Sequence, residues 1–295
     1  MSPTLKKICF YSFKGGAGRT VCTANIAGTL SQRLGATQEH PTLLLDLDLD
    51  SAGLTILLGQ QKQFEESKWS TNKLLQDELA LDVDPIREEF FNKHMIDVSP
   101  QLGAAPGTVR FIGGEIKGAA GMSVPEGKSL DLMLDFIDRS VENGNTGIII
   151  DSASGWQQTA MLSHFVADIV VYCCRLTHQF IEGTKLQLQR FVELCETSGR
   201  VPSIILLPVA VPPHHPDWDQ RRDTSLGSLQ SLCNRFKQKT QIELATSCVD
   251  EVLSFKWYES VLAAKPELTA DDEIKAKAAF DNIAEQIIII LHGNS

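Results

Sequence analysis

Several absences narrow the possibilities before any motif is considered. The chain of 295 residues carries seven cysteines but no C-x-x-C pair, so neither a zinc ribbon nor a thioredoxin-like redox pair is encoded. Cys173 and Cys174 lie inside the apolar run Val170–Cys174, which reads as buried strand thiols in a reducing compartment. No charged start followed by an apolar core marks a secretory leader. The run Ile287–Leu291 is far short of the ~20 apolar residues that span a bilayer. Positive charge is also scarce: 27 Lys and Arg stand against 37 Asp and Glu, for a net charge of −10. That balance argues against broad nucleic-acid binding. Repeats, low-complexity tracts and a dividing linker are missing as well. These absences describe a cytoplasmic protein whose residues 1–295 form one domain.

What is present is an alternation of two patterns. Ile8–Ser12, Thr42–Asp48, Gly147–Asp151, Asp168–Cys174 and Ser203–Leu207 are short, nearly continuous apolar runs, the pattern of strands covered on both faces. Between them Thr20–Leu34, Ser129–Asn143, Gln157–Phe165 and Ile181–Ser198 carry helical spacing. Strand–helix alternation of this kind predicts a doubly wound, mainly parallel α/β sheet. Residues 60–127 are less regular, with Met95–Ser99 and Val109–Ile112 as candidate strands, and read as an elaboration of the sheet's edge. The loop Pro212–Asp219 places His and Asp near one another, but no spacing fixes ligands on one face, so it reads as a solvated loop before a metal site. At the other end of the chain, Ala278–Leu291 has no Lys or Arg beyond Lys277 and reads as a helix packed on the core, not as a basic membrane anchor.

The chemistry-bearing stretch is Phe13-Lys14-Gly15-Gly16-Ala17-Gly18-Arg19-Thr20. It nearly matches G-x-x-x-x-G-K-[ST], with Phe13 at the first Gly and Arg19 at the Lys. A strand precedes it, a helix follows, and three glycines let backbone N–H groups approach an anion. A plain Gly-rich turn competes with that reading. Two further strand ends favour the phosphate site, because Leu43–Asp50 and Ile148–Asp151 both finish in carboxylates, where open α/β sheets bind ligands.

With these three segments in hand, the chain resembles the ParA/MinD class of P-loop ATPases, whose deviant loop reads K-G-G-x-G-K-[ST], and within it the subgroup with Arg in the penultimate place. Asp46-Leu47-Asp48 resembles its switch I segment, Asp50–Leu54 the tail after it, Asp151–Gly155 its Walker B and switch II segment, and Arg175–Thr184 the stretch after the next strand. The matches run in order from residue 8 to about 210. The resemblance implies a P-loop fold, ATP and Mg2+ as cofactors, and a homodimer formed on ATP binding that signals to an unidentified protein partner.

It also implies roles. Gly15, Gly16, Ala17, Gly18, Arg19, Thr20 and Val21, with Arg175, would contact nucleotide. Thr20, Asp46 and Asp151 would serve Mg2+, Asp48 would orient the attacking water, and Lys14 would reach the phosphates of a second copy. Arg19 offers a planar fork where relatives have a point charge, and the two are not interchangeable, so slow turnover used as a switch is expected. A scaffold without useful hydrolysis is the alternative. Pro208 stands where relatives often carry a base-reading Asn, so ATP over GTP follows from the resemblance alone. Two relatives of this class are set aside: the cysteines do not fit an iron–sulfur ligand set, and no Tyr follows Tyr258 to form a tyrosine-kinase tail. Plasmid segregation, cellular positioning, regulation of cellulose synthesis and anti-phage defence all remain open as the pathway.

Overall fold

The computed structural model describes residues 5–66, 69–75, 84–115, 128–212, 216–250 and 270–293. Strand β1 (Lys6–Tyr11) runs into helix α1 (Arg19–Arg33), then β2 (Thr42–Leu47) and the short helices α2 (Gly53–Leu57), α3 (Gln61–Glu66), α4 (Thr71–Leu75) and α5 (Asp84–Glu89). Strands β3 (Ile96–Asp97) and β4 (Val109–Ile112) lead to α6 (Lys128–Glu142), β5 (Gly147–Ser152), α7 (Gln158–Val166) and β6 (Ile169–Cys174). Helix α8 (His178–Ser198), β7 (Ser203–Val211), α9 (Pro216–Phe236), β8 (Ile242–Leu244), β9 (Val249–Asp250) and α10 (Ala270–Gly293) complete the order.

The strands assemble as β3-β4-β2-β5-β1-β6-β7-β8, with β9 beside β7. Every pairing is parallel except β3 with β4. Strands β2, β5 and β6 are buried at every position, as the continuous apolar runs require of strands covered on both faces. The order brings β1 between β5 and β6, and β2 next to β5, so the carboxyl ends of β2, β5 and β1 are neighbours. These are the three ends that carry the acids and the glycine loop.

Some expectations change. The strand expected over Met95–Ser99 is only Ile96–Asp97, because the Asp97 carboxylate accepts from Ser99 N at 3.0 Å and Gly107 N at 2.9 Å and folds the chain into a turn. Strand β7 continues past Pro208 to Val211. Pro208 sits opposite Cys174 at the last rung shared with β6, where the missing N–H is tolerated, and Val209 then pairs with Val249 of β9. Of the loop expected over Pro212–Asp219, Pro212 follows the end of β7, residues 213–215 lie outside the described residues, and 216–219 open α9. Among the described residues no group of three or more metal-ligating side chains forms, and no helix is long and apolar enough to cross a membrane. The tail helix α10 buries Ile283, Ala284, Ile287 and Leu291 and packs along α1.

Candidate functional site

The loop between β1 and α1 needs its glycines for two separate reasons. Gly16 and Gly18 have φ of 82° and 89°, a left-handed backbone that favours glycine. At Gly18 a Cβ would also meet Val209 Cγ1 at 2.9 Å, whereas one at Gly15 or Gly16 would meet nothing within 4 Å. The loop is therefore pinned on its β7 side and open on the other. Helix α1 begins with no side-chain cap and no acid in its first turn, which leaves the positive end of its dipole for an anion.

Beneath the loop lie the acids. Asp46 and Asp151 are opposite one another in β2 and β5, and both are fully buried. Asp151 accepts from Arg19 Nε at 2.8 Å, Thr20 Oγ1 at 2.7 Å and Thr23 Oγ1 at 3.2 Å. The same guanidinium donates from Nη2 to Asp48 Oδ2 at 2.7 Å. Asp46 is held differently: Thr55 N and Thr55 Oγ1 donate to Oδ2 at 2.9 and 2.8 Å, and Asp48 N donates to Oδ1 at 3.2 Å. Its carboxylate thus ties down both ends of the turn that follows β2.

The electrostatics follow from burial. Desolvation, with the Asp151 charge next, pushes the Asp46 carboxyl up to about 7, against the pull of its Thr55 hydrogen bonds. Desolvation also raises Asp151, although Arg19 and Thr20 favour its charged form. Burial works against the charge of Arg19, but Asp151 and Asp48 outweigh it and hold the guanidinium protonated.

Above this cluster opens a cavity of about 510 Å³, whose walls include Gly15 to Val21, Asp48, Asp50, Ser51, Ser154 and Gln157. That size lies within the range of small-molecule sites. Gly15, Gly16, Ala17, Gly18, Arg19, Thr20, Val21 and Asp48 meet here, while Asp46 and Asp151 lie below the floor. Lys14 is elsewhere: its ammonium donates to Gln179 Oε1 at 2.7 Å. Arg175 sits just beyond β6, partly buried and away from the cavity wall, and its Nε is buried with no hydrogen-bond partner. Gln157 and Tyr11 are among the residues that the sequence reasoning missed. Gln157 donates to Asp50 Oδ2 at 3.1 Å and so links the loops after β2 and β5; its place just after Asp151–Gly155 was the available signal. Tyr11 donates to the Gly155 carbonyl at 2.9 Å, and nothing in a strand's apolar pattern announces that bond. A larger cavity of about 740 Å³ between α1 and α10 shares only Val21 with the expected residues.

The residues fit a magnesium nucleotide. The uncapped helix end and open glycines suit phosphates, and Thr20 places a hydroxyl at the cavity wall. Mg2+ commonly takes only one or two protein ligands and completes its shell with phosphate and water, which suits a site without a three-carboxylate cage.

No protein-family model matches the chain, and no curated protein matches it. Solved structures do. A variant of McdA from Cyanothece, in complex with ATP, matches with a TM-score of 0.69 at 15% identity over 97% of each chain. The cell division protein MinD of Aquifex aeolicus gives 0.61 at 16% identity over 96% of each chain. Cobyrinic acid a,c-diamide synthase from Mycobacterium smegmatis, with bound ATP analog and magnesium, gives 0.65 at 13% identity over 99% of this chain and 98% of that one. Identities this low establish architecture and not activity. The chain has the fold of the ParA/MinD-like P-loop ATPases.

Proposed function

We propose that the chain is a Mg2+-dependent ATP-binding protein and a slow ATPase, that two copies pair around ATP, and that the pair acts as a switch for a partner or cargo in the cytoplasm. The observation that carries this reading is the convergence of an open glycine loop, the uncapped start of α1, Thr20, Arg19 and Asp48 on one cavity. McdA and MinD, both matched along nearly their whole length, support a positioning or partition role; the synthase match shows why the fold alone does not decide it.

Bound Mg-ATP would supply the phosphoanhydride bond and a divalent charge. The loop N–H groups and Arg19 would hold the phosphates, and Thr20 would ligate the metal. Asp151 would orient Thr20 through their 2.7 Å hydrogen bond and face the metal through water, with Asp46 shaping the turn that carries Asp48. Asp48 would orient water, and Lys14 would neutralise charge on the nucleotide of a second copy. Phosphoryl transfer needs chiefly positioning and charge neutralisation, so no covalent nucleophile is required. Arg175 brings an unpartnered donor to the end of β6 and would contact the nucleotide outside the phosphate cavity.

One observation favours the alternative, a nucleotide-binding scaffold whose dimer state is the output: Asp48 is engaged by Arg19, which competes with orienting water. Single-turnover hydrolysis with and without candidate partners separates the two readings. Calorimetry on Thr20→Ala tests the cofactor assignment. Binding should weaken chiefly when Mg2+ is present, and equal loss with and without Mg2+ would remove Thr20 as a metal ligand.

A further inference from the structure

The head of the glycine loop is seated on the first turns of α8. The Lys14 ammonium donates to Gln179 Oε1 at 2.7 Å and lies 5.2 Å from the centroid of the Phe180 ring. One turn on, Gly183 leaves the space that the Phe13 ring occupies; a Cβ there would overlap that ring. Phe13, the residue in place of the motif's first glycine, is thus an anchor, and Lys14 follows it onto the helix. The cavity that would take phosphates is lined by Gly15 and Gly16 but not by Lys14. The chain's own fold therefore directs this cation away from its own site.

Neither partner of the ammonium is charged. A neutral amide holds the ammonium less firmly than a carboxylate would, because no opposite charge adds its attraction at the same distance, and the buried Phe180 ring offers a π face but no countercharge. Gln179 is also exposed, so water competes for the same bond. Such a seat fixes direction without trapping the charge.

We propose that Gln179, with Phe180 beneath it, is the positioning residue for Lys14: it presents the ammonium outward, clear of the chain's own cavity, in a pairing weak enough to be exchanged for a phosphate held by a second copy. This rests on the reading that Lys14 serves the nucleotide of a second copy. Gln179 and Phe180 belong to the dimer chemistry of Lys14 and not to the chain's own phosphate cavity.

Gln179→Glu keeps the side-chain frame and turns the seat into an ion pair; Gln179→Ala removes it. In the nucleotide-free protein, acylation of Lys14 by an amine reagent, followed by mass spectrometry, should slow in Gln179→Glu and quicken in Gln179→Ala. With Mg-ATP, Gln179→Glu should raise the protein concentration needed for dimerisation roughly two- to fivefold, the range of one solvent-exposed ion pair, while nucleotide affinity of the single chain stays as in wild type. In a Lys14→Ala background Gln179→Glu should add nothing. If Lys14→Ala blocks dimerisation but Gln179→Glu changes neither acylation nor dimerisation, the seat is wrong and the reading of Lys14 stands. A Lys14→Ala chain that dimerises as wild type removes that reading and the seat with it. A matching loss of nucleotide affinity in Gln179→Glu would place the residue in the chain's own cavity and overturn the proposal.

Discussion

Arg19 and Asp151 form a buried ion pair, Nε to Oδ1 at 2.8 Å, with the carboxylate fully buried and the guanidinium side chain 7% exposed. The residue that stands at the motif's lysine place is therefore also the partner of a buried acid. Arg19→Ala should abolish Mg-ATP affinity and leave Asp151 without its cation, a loss of about 3–5 kcal/mol for a broken buried pair. Arg19→Lys keeps the charge but loses the planar fork that meets Asp48 and Asp151 from separate nitrogens, so it should fold better than Arg19→Ala and retain part of the binding. Denaturant unfolding with calorimetry measures both effects. Wild-type affinity in a folded Arg19→Ala would remove the phosphate-loop assignment.

Asp48 should be dispensable for binding and needed for turnover. Asp48→Ala is expected to trap an ATP-bound dimer, seen by light scattering with ATP and absent with ADP. Loss of a water-positioning group should slow hydrolysis on the order of 10³-fold. The substitution also frees Arg19 Nη2, which donates to Asp48 at 2.7 Å, so nucleotide affinity should hold or rise. A monomeric Asp48→Ala with ATP bound would sink the paired-nucleotide mechanism.

Two buried groups should oppose each other in the pH dependence of folding. Asp46 is raised from 3.8 to about 7 by burial and by Asp151. The native chain keeps a proton there that the unfolded chain releases, so this stability is present below pH 3.8 and lost as pH rises toward 7. His164 is lowered from 6.5 to about 4 by burial. The unfolded chain gains a proton that the native chain refuses, so this stability is present above pH 6.5 and lost as pH falls toward 4. Each slope is at most about 1.4 kcal/mol per pH unit. Urea unfolding across this window should show Asp46→Asn with a slope more positive than wild type and His164→Gln with one more negative. Parallel curves for all three would remove both assignments.

The Phe13 seat predicts a compensating pair. Gly183→Ala should push the Phe13 ring, shift the loop head and weaken Mg-ATP binding. Phe13→Ala with Gly183→Ala should recover part of that loss, because the overlap is gone, with a coupling of about 1 kcal/mol between residues in contact. Additive losses in calorimetry would mean that the two residues act independently.

The sequence by itself determined the elements whose cause is local. Continuous apolar runs made β1, β2, β5 and β6, helical spacing made α1 and α6, and glycines between strand and helix marked the loop. Acids at strand ends were legible because a strand's end is where its apolar run stops. Helix α9 was missed since its first half is rich in polar residues and, among the described residues, its buried stripe is Leu229, Leu232, Cys233 and Phe236. Strand order was beyond reading, because β1 selects β5 and β6 through ladders that cross more than a hundred residues of chain. Side-chain direction was beyond reading for the same reason. Motif spacing put Arg19 at the loop's end, but the neighbouring strand ends turned its guanidinium onto Asp151 and Asp48. Lys14 points to Gln179 because α8 begins at His178, three residues before its apolar periodicity shows. Local pattern fixes which groups are present; the packing of distant segments decides what each one faces.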